Sequence, residues 1–431
     1  MQRRFAYRVL AVLGAYSLAA IAAQSPSYHV TTLPDLEGGS VAYVNGMNAA
    51  GSVVGAIHRQ TGKSFAPTAV LWKDGVAIDL GAGAPRESSA LSINAAGQVV
   101  GSARDSANIG HPILWQDKQT IDLGAPSGFT NARAFGINDT GHAVGFIDVG
   151  GRVRATEWLR SVFAFLPDLP GALNSSAQSI SNRGLVVGYT YTNRVAALQY
   201  GLRATAWREG QVTDLGMLPG TIASTAEGVN DLTQIVGMSI DASGRHHPTL
   251  WTNGQPVALP LLPGSVSGYV RKINNRGECV GWNSDGSRSR ATLWQNGVVY
   301  DLNDLISSDL RPFLTITQAT GINDSGQIAA YGNDSRSAGQ KGFLLNPIVK
   351  VADKLAALSA KVNGVEPGRS LSNKVRLAET HFRASNFREM CSALTAFVNE
   401  VWEKSGKTID PTLAQKLASD AYAIQAACGL R

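Results

Sequence analysis

Six basic residues could together form a surface for anions: His111, Arg154, Arg203, His247, Arg290 and Lys341. Each stands four residues before a large apolar one, namely Trp115, Trp158, Trp207, Trp251, Trp294 and Leu345. On a strand, side chains four apart share a face, so cation and ring would lie side by side. Two chemistries follow. The charged heads could hold a ligand carboxylate, phosphate or sulfate through charge-assisted hydrogen bonds. Alternatively they serve the fold, stacking on a neighbouring indole or donating to strand-end carbonyls. A position filled alike in most repeats usually serves the repeat itself, which favours the second reading. The Trp set reads in the same way as core and not as a sugar platform.

Other chemistry finds little support. The seven His are scattered and form no His-Glu-x-x-His motif. Neither a nucleophile elbow nor a phosphate-binding loop is present. The Asn-Asp-x-Gly pieces lack the acidic ladder and terminal Glu of a calcium loop. The sequence therefore points to no catalytic residue, no metal and no cofactor, and whether the chain is an enzyme stays open, with a non-enzymatic protein preferred.

The basic slot is positioned by a repeat. One unit reads Ile-Asn-x-x-Gly, a β-branched pair with Gly, the basic slot and Trp, then x-x-Gly and Asp-Leu-Gly. The turn pieces begin at Asn48, Asn94, Asn138, Ser181, Asn230, Asn274 and Asn323, spaced 46, 44, 43, 49, 44 and 49 residues apart. Asn at the first turn position can bond the backbone two residues on, and Gly at the fourth can take the left-handed conformation. Four short strands per unit of 40–50 residues is the pattern of a propeller blade.

The expected main domain is all-β, a seven-bladed β-propeller of four-stranded blades over residues 24–348. The last unit lacks its fourth strand, and His29-Val-Thr-Thr-Leu-Pro-Asp-Leu36 matches the missing piece. The N-terminal strand should thus complete the seventh blade and remove an open edge. An open solenoid is the alternative, but it would need polar caps that the sequence does not show. The strand before each Asn alternates. Ala90, Ala134, Ala177, Ala226 and Ala319 lie on a small-residue face suited to an innermost strand. Asn45, Leu91, Phe135, Gln178, Glu227, Arg271 and Thr320 lie on the other, a variable position that could line a channel or touch a ligand.

Charge and targeting set the compartment. Arg3, Arg4 and Arg8 precede the apolar run Val9–Ala22, which is too short to span a bilayer, and Ala20-Ile21-Ala22 fits a signal peptidase. Residues 1–23 read as a signal peptide, so the protein should be exported, to the periplasm or outside the cell. Without those three Arg, 35 basic residues face 32 acidic ones, with no like-charge block. Nucleic acid is not an expected partner, and no membrane span should remain after cleavage.

After Pro347 the periodicity turns helical. Residues 349–369 read as a helical linker and 370–431 as a small all-α domain, with Asp410 capping its last helix ahead of Pro411. Cys391 and Cys428 both lie there and could staple its third and fourth helices in an oxidising compartment. Cys279 stands where other units have Val or Ile and reads as a buried apolar residue.

The repeat resembles the HAF repeat family of exported proteins, whose unit runs Ile-Asn-x-x-Gly, His-Ala-Phe-Leu-Trp, Asp-Leu-Gly. The triplet slot here reads Thr68-Ala-Val, His111-Pro-Ile, Arg154-Ala-Thr, Arg203-Ala-Thr, His247-Pro-Thr, Arg290-Ala-Thr and Lys341-Gly-Phe. The likeness covers about three quarters of the chain and rests on the whole pattern. The tail resembles the small helical domain called FIMAH through Cys391-Ser-Ala-Leu-Thr-Ala-Phe-Val-Asn-Glu-Val401, Ser405-Gly-Lys407 and Cys428-Gly429. These resemblances imply an extracellular repeat protein and bring no reaction. The functional expectation is a monomeric binding or interaction propeller of unknown ligand, with a glycan, an anionic polymer or an envelope protein as partner. A hydrolase or lyase acting at the channel mouth, and a structural or adhesive envelope module, are the alternatives.

Overall fold

A computed structural model describes residues 25–37, 39–61, 64–81, 87–192, 201–348, 351–363, 365, 369–384 and 386–425. The leader 1–23 and Cys428 lie outside the described residues. The chain from Tyr28 to Pro347 folds into antiparallel sheets: five of four strands and one of eight. The eight-stranded sheet is two four-strand groups joined by a single bridge, Asn131 to Gly110. Each sequence unit is one such group. Its strands meander outward, as in Ala172–Ile180, Val186–Thr192, Leu202–Arg208 and Gln211–Asp214. In the last group the strand Tyr28–Thr32 pairs antiparallel with Gln340–Pro347, Tyr28 opposite Pro347 and Thr32 opposite Phe343. That pairing follows the match between residues 29–36 and the outer strands of the other units.

The first strand of every unit carries a register shift. It falls at Asn45, Leu91, Phe135, Gln178, Glu227, Arg271 and Thr320. A bulge there re-aims one side chain and tightens the local twist. It also explains the Gly after the β-branched pair: a Cβ on Gly145 would collide with the carbonyl oxygen of Arg133, and one on Gly281 with that of Tyr269. The small residues that follow each bulge have the same kind of cause. A Cβ on Gly46 would press on Leu91 O and Ser92 Cα of the next unit, and one on Gly321 would meet Met47 across the first and last units.

Two hydrogen-bond systems join neighbouring units. In the turns, each Asn accepts from the backbone N–H four residues on, as Asn48 does from Ser52 and Asn274 from Glu278. Its amide then donates to the carbonyl of the equivalent residue in the next unit. Asn48 reaches Asn94, Asn94 reaches Asn138, and Asn138 reaches Ser181. Asn230 reaches Asn274, and Asn274 reaches Asn323. Asn323 donates to Asn48 O at 3.2 Å, linking the last unit to the first. At Ser181, which has no amide, the neighbouring Asn182 N–H donates instead to Asp231 at 2.7 Å.

The second system uses the indoles. Trp72, Trp158, Trp207, Trp251 and Trp294 donate to Pro34, Gly124, Pro167, Gly216 and Pro260 carbonyls of the preceding outer strand's loop. Trp115 is buried with its indole N–H unpartnered. The five bonded Trp rings are buried as well and fill the group cores.

The tail forms four helices: α1 Val351–Val362, α2 Ser370–Arg383, α3 Phe387–Lys404 and α4 Pro411–Gln425. Their apolar faces make one core of their own, including Leu355, Leu371, Phe397 and Leu417. The segment read as a linker thus contributes a full helix to that core. Asp410 accepts from the Thr412 and Leu413 N–H groups, the cap expected ahead of Pro411. Glu400 is the buried polar centre, accepting from Lys374 at 2.5 Å, Lys404 at 2.6 Å and Ser370 at 2.8 Å. Cys391 lies partly buried against this core.

Candidate functional site

The basic slot sits on the third strand of each unit, where five of its six members have acidic partners within the chain. His111 lies 2.7 Å from Asp122, and Arg154 3.7 Å from Asp168. Arg290 lies 3.4 Å from Asp301, and Lys341 2.5 Å from Asp35. These Asp belong to the Asp-Leu-Gly, Leu-Pro-Asp-Leu or, at Asp301, Asp-Leu-Asn pieces of the outer strands and the loops after them. Unit five has Ala258 there, and His247 turns to Asp241 at 3.1 Å. Arg203 makes no ion pair or ring contact among the described residues. The cation stack that forms is Arg154 over Phe165, 4.2 Å from its centroid, and not over Trp158. Arg290 also donates to Pro263 O and Ser265 Oγ. In four units the slot thus ties the third strand to the fourth or to the loop that follows it, and each of these charges is met by its own Asp.

A different set of residues converges. Along the paired first and second strands, two positions vary from unit to unit while their neighbours repeat. One is the bulge position. The other follows the Gly of the second strand and reads Ala56, Ser102, Phe146, Tyr189, Met238, Trp282 and, in the last unit after Ala330, Tyr331. Its cross-strand partners Tyr43, Ser89, Arg133, Ser176, Thr225, Tyr269 and Gln318 vary as well. The rings form pairs: Tyr43 with Tyr331 at 5.8 Å, Tyr269 with Trp282 at 5.9 Å, and Phe135 with Phe146 at 5.6 Å.

Charge collects among these rings. Arg271 lies 5.7 Å from the Tyr269 ring centroid. Burial pushes the Glu227 carboxyl up, opposed by the charge of Arg271. Burial and the neighbouring Arg271 bring the Lys272 ammonium down to about 8, against the pull of Glu227. Burial and Glu227 hold the Tyr269 hydroxyl far above its usual range. Titratable groups shifted together in this way occur both at working sites and in structural ion-pair networks.

Between units one and three this face opens into a cleft of about 280 Å³, lined among others by Tyr43, Asn45, His58, Ser102, Arg104 and Arg133. Of the sequence candidates, the bulge residues Asn45 and Leu91 line this cleft, and no residue of the basic slot does. The post-glycine aromatics were missed because they share no residue type. Their signal was the opposite one: a variable site inside an otherwise repeated strand. Cys279 is buried and free, its thiol pushed up to about 12 by burial and by Glu278. Among the described residues no cluster of His, Cys, Asp or Glu could hold a metal ion, and no helix is long and apolar enough to cross a membrane.

No protein-family model matches the chain, and no curated protein matches it. Solved structures with partial likeness include the Pyrococcus horikoshii acylaminoacyl peptidase, at 12% identity and TM-score 0.47, covering 70% of this chain and 51% of that one. TolB from Acinetobacter baumannii aligns at 12% identity and TM-score 0.37, over 75% of this chain and 80% of its own. The Aleuria aurantia lectin in complex with Fucα1-6GlcNAc aligns at 12% identity and TM-score 0.35, over 63% of this chain and 98% of its own.

Proposed function

We propose that the chain is an exported seven-bladed β-propeller, closed by the strand Tyr28–Thr32, that binds a ligand through its variable face without transforming it. One observation carries the binding reading. Within each inner hairpin, frame positions repeat while the bulge and post-glycine positions change, collecting Tyr43, Arg133, Tyr189, Glu227, Tyr269, Arg271, Trp282 and Tyr331 on one face. Positions that served only the repeat would repeat. Closure is supported by the pairing of Tyr28–Thr32 with Gln340–Pro347 and by the Asn323–Asn48 bond. Export rests on the signal-like leader and on the resemblance to HAF repeat proteins with a FIMAH-like tail, where Cys391 and Cys428 would pair. The partner is a glycan, an anionic polymer or an envelope protein, taken up by a monomer. In this reading the basic slot is structural.

The test is an array of glycans and polyanions probed with the chain lacking residues 1–23, alongside the Tyr269→Ala, Tyr331→Ala and Arg290→Ala variants. The expected result is at least one specific signal that falls in the first two variants and survives in the third. An empty array, or a signal that depends only on Arg290, overturns the reading.

A second reading adds chemistry at the same place. Burial raises the Glu227 carboxyl and brings the Lys272 ammonium down to about 8, and two such electrostatically interacting groups could serve a hydrolase or lyase as acid and base. Turnover of an array ligand that Glu227→Gln abolishes would establish it.

A further inference from the structure

We infer that the cleft between Tyr43 and Arg133 is a binding site for an acidic sugar residue, with Arg133 receiving the carboxylate and the Tyr43 ring supporting the sugar face. This rests on the binding reading and narrows it to a place and a ligand class.

The cleft exists because volume is missing. At the post-glycine position units three to seven carry Phe146, Tyr189, Met238, Trp282 and Tyr331, but units one and two carry Ala56 and Ser102. Opposite Ser102 lies Ser89, where unit one has Tyr43 and unit three has Arg133. Three small side chains thus separate an aromatic ring from a guanidinium. The volume of about 280 Å³ falls just below the usual range of ligand pockets, which run from roughly 300 Å³ upward. It suits one sugar ring and not a length of polymer.

The polar groups inside divide unevenly. Glu87 lines the cleft, but its carboxylate is engaged by Arg104 at 3.3 Å. Arg104 also donates to Asn108 O at 2.7 Å. Arg133 makes no hydrogen bond or ion pair among the described residues, although it is half-buried. Burial, and then the charge of Arg104, lowers its pKa. A half-buried guanidinium with no internal partner keeps its donors free for a ligand, and a bidentate carboxylate would supply both charge and geometry. Ser102 offers a hydroxyl, and Asn45, whose amide nitrogen donates to Ala90 O and Ser89 Oγ, offers its amide oxygen to a sugar's hydroxyls. Tyr43, 39% exposed, offers a flat apolar face.

Calorimetric titration of the full chain tests this, using the methyl glycosides of glucuronic acid, galacturonic acid and N-acetylneuraminic acid. Methyl glucoside and methyl galactoside serve as neutral counterparts. At least one acid should bind, at least tenfold tighter than its neutral counterpart, with affinity falling as salt is raised. Arg133→Gln should weaken it at least tenfold, Arg133→Lys less, and Ser102→Phe, which gives unit two the side chain of unit three, should abolish it. Arg133→Gln should melt no lower than the parent, since no internal partner is lost. The inference fails if no acid binds up to about 10 mM, if acid and neutral sugars bind alike, or if Arg133→Gln changes nothing. Equal displacement by inorganic phosphate would also overturn the sugar assignment, leaving a bare anion site. Array signals that survive Arg133→Gln but fall in Tyr269→Ala would sink this inference and leave the broader binding reading intact.

Discussion

The same inner hairpin has two ends that obey different rules. At its turn, six of seven units place Asn at the first position, bonded to its own turn and to the next unit. A few residues away, at the bulge and across from it, hardly two units agree. Turn-end side chains are satisfied by partners within the chain. Those of the variable end include Arg133, whose side chain has no hydrogen bond or ion pair among the described residues, and Glu227 and Lys272, whose charged forms burial disfavours. The difference teaches where this scaffold can vary. Side chains that bridge units must repeat, because each is half of two contacts; those facing away from the bridges are free to differ and to meet something else.

The sharpest way to break this comparison is to remove the N-terminal strand Tyr28–Thr32. Deleting residues 27–35 strips the paired edge from Gln340–Pro347 and removes the buried Tyr28. The expected outcome is aggregation and loss of a cooperative melt, read by light scattering and circular dichroism. Unchanged solubility and melting would mean that the strand is an ornament to the sheets.

Next in size is the helical tail, whose core is independent of the repeats. Burial alone would raise the Glu400 carboxyl, but Lys374, Lys404 and Ser370 overcome it and hold it down at about 2. A depressed carboxyl stabilises the folded state above its unfolded pKa of about 4.5, and that contribution is lost as pH falls toward 2. At neutral pH it is worth on the order of 3 kcal/mol. The Glu400→Gln variant should therefore lower melting of the helical part at pH 7 but not at pH 2; an equal deficit at both would refute the charge argument.

The indole bonds offer a comparison between units. Trp207 donates to Pro167 O at 2.7 Å, whereas the Trp115 N–H is buried without a partner. Changing each to Phe removes similar volume, so Trp207→Phe should cost about 1–2 kcal/mol more than Trp115→Phe in chemical denaturation. The smallest effect is a gain. Unit five puts Thr233 where the other turns have Gly, at φ 63°. Thr233→Gly should relieve a left-handed β-branched residue and raise stability by about 1 kcal/mol, seen as a later denaturation midpoint.

How much of this could be read from the residues follows the same division. The Asn turns, the Trp beat, the small-residue face and the match of residues 29–36 to an outer strand were legible, because each is a local necessity written several times over. The partners of the basic slot were half legible. Asp122, Asp168 and Asp301 stood in plain repeats, but their pairing with His111, Arg154 and Arg290 depends on the register of an antiparallel hairpin. Arg133 and its cleft were not legible. What makes them a site is the smallness of Ala56, Ser89 and Ser102 beside them, a missing volume that appears only once units one to three lie side by side.

The most direct test of the division between frame and face is a pair of alanine variants three residues apart in one hairpin. Asn230 is buried, donates to Asn274 O at 2.9 Å and accepts from the Leu232 and Gln234 N–H groups. Glu227, at the bulge, has a carboxyl that burial destabilises in its charged form. Chemical denaturation of the two variants should show Asn230→Ala losing on the order of 2–3 kcal/mol, and Glu227→Ala losing less than half of that, about 1 kcal/mol or below, because the burial cost of its carboxylate offsets part of what the Arg271 charge gives it. If Glu227→Ala falls as far as Asn230→Ala, the variable face is part of the frame, and the binding account built on it is contradicted.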